Sequence, residues 1–194
     1  MAGAHAWCGC IAARPAPTGG SASIPIASSD GRPARAIRCG SVNLTYLKIA
    51  DRWWHLAAIL DQHSRRVLAW RVSATRDATF TRAVVHAALR RRRPKPGLIF
   101  HSDRGSEFLG TPFRDRLAKS GILQSMTRGG APDENARMES FFHSLKAEVT
   151  QGRSFASVVE LRRVLRRYMP YYNHQRLHSS LGYRSPVDYE RAEA

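Results

Sequence analysis

Residues 97–100 form a short apolar run that breaks at once into His101, Ser102, Asp103, Arg104 and Gly105. A buried strand that ends in polar residues and a glycine delivers a carboxylate at its C-terminal tip. Farther along, Met138, Phe141, Phe142, Leu145 and Val149 recur at helical spacing, with Asp133 placed as an N-cap. Asn135, Glu139 and Lys146 fall on the opposite, polar side, which faces Asp103 if this helix packs across the strand end. Between Asp103 and Glu139 lie 35 residues. Two carboxylates, one on a strand end and one on a later helix, can share a divalent cation, because Mg²⁺ takes hard oxygen ligands.

The other elements agree with a layered α/β chain. Apolar-rich runs at 43–50 and 53–60, separated by Asp51 and Arg52, predict a hairpin, and 66–72 predicts a third, antiparallel strand. A helix follows at 79–92, ending in four consecutive cations, Arg90 to Arg93. These cations complement a helix C-terminus or contact phosphate. After the break at Pro94 and Pro96 come the Asp103 strand, a helix at 111–120 closed by Gly121, and a fifth strand at 122–126. The glycine-containing stretch 127–132 leads into the Glu139 helix, and 155–171 contains a last long helix with Val158, Leu161, Val164, Leu165 and Tyr168 inward. Three antiparallel strands and then alternating helices and strands imply an α/β architecture.

The formal net charge is +16, divided as +3 over residues 1–40, +9 over 41–150 and +4 over 151–194. Arginine-rich genome composition also raises such a number. An excess spread through the domain nevertheless favours a basic surface for a polyanion over a basic tail. Residues 1–40, rich in Ala, Gly, Pro and Ser, show no periodicity and are expected to be disordered or atypical, with the ordered core at 41–194. His5, Cys8 and Cys10 match no closed zinc spacing. With no apolar run near the ~20 residues of a membrane helix and no signal-peptide pattern, the expected setting is cytoplasmic, away from any membrane.

The Asp103 and Glu139 segments, in order and spacing, together with the C-terminal run 172–186 (YYNHQRLHSSLGYRSP from Tyr171 onward), resemble insertion-sequence transposases related to retroviral integrases. The likeness spans roughly residues 42–190. It implies a ribonuclease-H-like fold with a five-stranded mixed sheet flanked by helices. It also implies an Asp-Asp-Glu metal site that cleaves DNA and joins strands with Mg²⁺ or Mn²⁺. On this resemblance Asp103 and Glu139 are the second and third catalytic carboxylates and metal ligands. Arg104, Arg137 and Lys146 are expected DNA contacts, as are Asn173, Arg176 and His178 if the tail folds back to the site. DNA is the expected partner, with a homo-oligomer or association with full-length transposase as further expectations. The helix-turn-helix elements that usually precede such a core have no counterpart in residues 1–40.

The first carboxylate of the pattern belongs on the opening strand, which here reads Asn43, Leu44, Thr45, Tyr46, Leu47. Asparagine is nearly isosteric with aspartate but neutral, with one acceptor oxygen instead of two. A site meant for two divalent cations thus loses one negative charge, and the resemblance implies weakened metal binding and impaired cleavage. Asp61 is the candidate substitute. A two-residue hairpin loop turns it to the face opposite Asn43, a three-residue loop brings it to the same face, and an Asx-turn at 61–64 gives it a structural task. Two functional classes therefore stand side by side: a DNA-processing core, intact or degenerate, and a DNA-binding or assembly protein without catalysis. A ribonuclease acting on RNA–DNA hybrids fits less well, because the helix-borne carboxylate and the C-terminal run follow the transposase pattern.

Overall fold

The computed structural model describes residues 39–94, 96–102, 105–126 and 136–193. Strands β1 (Cys39–Ile49), β2 (Arg52–Asp61) and β3 (Val67–Ser73) form an antiparallel meander. Helix α1 (Ala78–Arg92) crosses to β4 (Ile99–Ser102), which pairs parallel with β1. The short α2 (Ser106–Leu109) and α3 (Thr111–Lys119) then lead to β5 (Leu123–Met126), parallel to β4. The sheet order is β3-β2-β1-β4-β5, a five-stranded mixed sheet. Helix α4 (Ala136–Leu145) runs into a π-helical turn (Lys146–Thr150), followed by α5 (Val158–His174), a 3-10 turn (Ser179–Leu181) and α6 (Pro186–Ala192). No described helix is long and apolar enough to cross a membrane. The expectations for residues 1–38, including the zinc reading, and for the stretch 127–132 and the Asp133 cap lie outside the described residues.

Side chains of β1 and β2 alternate between two apolar layers. Leu47, Ile49, Leu56, Ala58 and Leu60 meet α4 and α5 through Phe141, Leu145, Leu161 and Leu165. Val42, Ala57 and Ile59 meet α1 and α3 through Val84, Val85, Phe113 and Leu117. Each fully buried Leu or Phe contributes about 1.5–3 kcal/mol, so both helical layers are held mainly by these residues.

Local chemistry sets the helix ends. Asp77 accepts from the Phe80 N–H at 2.7 Å to start α1, and Ser157 accepts from the Glu160 N–H to start α5. Gly121 combines φ of 65° with a close approach, since a Cβ there would lie 2.9 Å from that of Pro96. The predicted Asp51–Arg52 turn is displaced by one residue. Ala50 and Asp51 form it, with Ala50 at φ 47°, and Asn43 pairs with Ala58 instead of Leu60. A left-handed first residue suits the two-residue turns that match strand twist, and the Ala50 N–H is fixed by the Phe155 carbonyl at 2.9 Å. Because the register moves by two, no side chain changes face.

Candidate catalytic and nucleic-acid site

The register of β1 against β4 runs from Cys39↔Ile99 to Val42↔Ser102. Asn43 is the next residue of β1. Asp103 is joined by its peptide bond to Ser102, but it lies outside the described residues, as do Arg104 and Asn135. Odd-numbered positions of β1 from Asn43 to Ile49 face the α4–α5 layer, to which Leu47 and Ile49 belong. Asn43 is half-buried, and its Oδ1 accepts from the Leu44 N–H at 2.7 Å.

Helix α4 lies on that same face, with Met138, Phe141, Phe142 and Leu145 buried. Glu139 is thereby turned outward and is exposed, and Lys146, two turns later, is exposed as well. Arg137 is half-buried, and its guanidinium donates to the Gln62 carbonyl at 2.5 Å in the β2–β3 turn. His101 is buried, with Nδ1 3.3 Å from Ser125 Oγ, as fits a strand-end structural residue.

The C-terminal residues expected at DNA are largely engaged inside the protein. Asn173 is 4% exposed. Its Oδ1 accepts from the Val67 N–H at 2.8 Å and its Nδ2 donates to the Val67 carbonyl at 2.9 Å. Both groups belong to the sheet's edge strand, so the amide stands where a further strand would pair. Arg176 donates to Glu148 at 2.8 Å and to Ser144 at 3.1 Å, with its Cζ 5.8 Å from the centre of the Tyr172 ring. His178 packs edge-on against Tyr172, ring centres 4.9 Å apart. Burial, reinforced by Arg176 and Arg65, pulls the His178 imidazole down to about 4. Burial also pushes the Tyr172 phenol up to about 12, so both rings are neutral near pH 7.

Asp61 resolves in favour of the Asx-turn. It lies opposite Gly40, on the face away from Asn43. Oδ1 accepts from the His63 and Ser64 N–H groups at 2.9 and 3.2 Å, and Oδ2 pairs with Arg92 at 2.9 Å. Arg92 also pairs with Glu190 of α6, which accepts from Ser64 Oγ at 2.6 Å and Arg66 at 2.7 Å. This network docks α6 on the β2–β3 turn. The Arg90–Arg93 run gave no sign that one of its members points inward, because its partners lie 31 and 98 residues away.

Comparison with known proteins places this geometry among relatives. The integrase core domain family matches residues 33–132 and again 120–186. The transposase for insertion sequence element IS904 of Lactococcus lactis is 34% identical over 150 residues, covering 77% of this chain and 59% of that protein. Transposase InsF for insertion sequence IS3A of Escherichia coli K12 is 34% identical over 149 residues, covering 76% of this chain and 52% of its own length. The chain thus spans between half and three-fifths of these relatives. Among solved structures, the catalytic core domain of BIV integrase has a TM-score of 0.60 at 18% identity, covering 81% of this chain and 96% of that one. The HTLV-2 integrase catalytic core domain, in complex with magnesium, has a TM-score of 0.55 at 13% identity, covering 78% and 93%. These two share the ribonuclease-H-like fold.

Proposed function

The chain belongs to the integrase core domain family, and from that membership we propose that it is the core portion of an insertion-sequence transposase acting on DNA, with its cleavage chemistry strongly impaired. The observation that carries this reading is the β1–β4 register, Val42 against Ser102, with Asn43 the next residue of β1 and Asp103 the next in sequence after Ser102. Helix α4 lies over the face that Asn43 shares, and Glu139 is on its exposed side.

Asp103, Glu139 and the Asn43 amide oxygen form a set of hard donors that suits one divalent ion, Mg²⁺ or Mn²⁺. For two ions the set is one anionic charge short. Asn43 Oδ1 is in addition engaged by its neighbour's N–H, which weakens its part further. A bound divalent ion polarises the scissile phosphodiester and activates the attacking oxygen. The chain's own contribution is to hold those carboxylates and to receive DNA, with Arg104 and the exposed Lys146 as the contacts the family pattern offers. Asp61 is not available as a substitute, because Arg92 and two backbone N–H groups occupy its oxygens on the other face of the sheet. Asn43 also favours a second reading, a DNA-binding or assembly protein without catalysis that associates with itself or with a full-length transposase.

Nicking of supercoiled plasmid in Mn²⁺ separates the two. Asn43→Asp should raise the rate about tenfold or more. Adding Asp103→Ala or Glu139→Ala to that variant should abolish it. Equal nicking by the natural chain and Asn43→Asp would refute the impairment. No gain despite tighter metal binding would favour the assembly reading.

A further inference from the structure

The peptide unit between Gln62 and His63 is held on both sides. Its N–H donates to Asp61 Oδ1 at 2.9 Å, and its carbonyl accepts from the Arg137 guanidinium. A planar trans peptide points these two groups in opposite directions, so a grip on the N–H fixes where the carbonyl faces. Asp61 is itself fixed, since it is 4% exposed, its Oδ1 also accepts from the Ser64 N–H and its Oδ2 pairs with Arg92. Arg92 and Ser64 Oγ both engage Glu190 of α6. The carbonyl offered to Arg137 is therefore set by a network that joins β2, α1 and α6.

Arg137 belongs to the first turn of α4, which begins at Ala136. At a helix start the hydrogen-bond ladder has not yet closed, and the turn frays. Buried Met138 and Phe141 fix how deep this turn sits in the core. A guanidinium bond to a carbonyl adds direction, because it weakens steeply off axis. Asp61 lies on the sheet face away from Asn43, and α4 covers the near face. One peptide thus carries the constraint from the far-face network to the helix that bears Glu139.

We propose that Asp61 and Arg137 are positioning residues for Glu139. Asp61 orients the Gln62–His63 peptide, the peptide carbonyl holds Arg137, and Arg137 sets the first turn of α4 and the direction of the Glu139 carboxylate. This rests on the reading of Glu139 as a metal ligand. Groups that orient a ligand govern metal affinity nearly as strongly as the ligand does. Asp61 thereby serves the metal site without contributing its own oxygens to it.

The test pairs amide hydrogen exchange with Mn²⁺ calorimetry, in the natural chain and in Asn43→Asp. Arg137→Met keeps the aliphatic stem and removes the donors. It should speed exchange of the Ser140 and Phe141 amides, which close the first turn of α4, about tenfold. In the Asn43→Asp chain it should weaken Mn²⁺ binding about tenfold. That sign is diagnostic, because removing a cation near a metal site strengthens cation binding when charge alone acts. Asp61→Ala should reproduce both effects, and Asp61→Asn, which keeps the acceptor of the Asx-turn, should restore part of the protection. Arg163→Met, an exposed arginine of α5, should change neither. Exchange at Ser140 and Phe141 unaltered by Arg137→Met overturns the proposal, as does faster exchange with equal or tighter Mn²⁺ binding. Should Asp61→Ala fail to fold, Arg137→Met decides. Faster exchange in variants of a chain that binds no Mn²⁺ even as Asn43→Asp would keep the hold on α4 and refute the metal-site reading.

Discussion

Replacing Asn173 by alanine removes a side chain that bonds both backbone groups of Val67, at 2.8 and 2.9 Å, from a position only 4% exposed. Each backbone group left unsatisfied costs about 1–3 kcal/mol. Water entering at an edge strand recovers part of that, so the expected loss is about 2–4 kcal/mol. Asn173→Asp sharpens the test. Its carboxylate still accepts from the Val67 N–H, but the second oxygen faces the Val67 carbonyl, which raises the carboxyl pKa in the folded state. A group with a raised folded pKa contributes stability at low pH and loses it as pH rises through that value. Asn173→Asp should therefore be nearer to the natural chain at pH 4 than at pH 7. Urea denaturation at both pH values measures it, with duplex binding followed in parallel. An unchanged unfolding midpoint for Asn173→Ala, together with a loss of DNA affinity, would refute the structural assignment and return Asn173 to the DNA surface.

Glu190→Ala should destabilise the chain by about 3 kcal/mol, read by chemical denaturation, because it leaves the part-buried Arg66 and Arg92 without their shared carboxylate. His178, held down to about 4 by burial and by Arg176 and Arg65 against the partial opposition of Glu148, makes stability fall as pH drops from about 6.5 toward 4. Urea midpoints across that window should show the decline, and His178→Asn should flatten it. Duplex affinity, measured by fluorescence anisotropy, should drop about a hundredfold between 50 and 200 mM salt if four phosphates are neutralised. A flat salt response would remove the basic surface from the DNA contact.

The core was legible because its apolar residues follow the periods of their elements. Met138, Phe141, Phe142 and Leu145 define the buried side of α4, and the exposed setting of Glu139 follows from them. The β1–β2 register was not legible to the residue. A shift of two residues leaves every side chain on the same face, so alternation does not distinguish pairing with Leu60 from pairing with Ala58. Only the turn decides, and Ala50 gives little sign that it adopts φ 47°. The tasks of Asn173 and Arg92 depend on partners far away in sequence, Val67 and the pair Asp61 and Glu190. A polar residue in a resembling motif suggests DNA until such a partner is seen.

The central claim, a metal site one carboxylate short at Asn43, is tested most directly by calorimetric titration of Mn²⁺ into the natural chain and Asn43→Asp. Asn43→Asp should bind about tenfold more tightly or better, since a third carboxylate adds an anionic ligand at nearly unchanged shape, and Asp103→Ala in that background should abolish the gain. Equal Mn²⁺ affinity for the natural chain and Asn43→Asp would contradict the account.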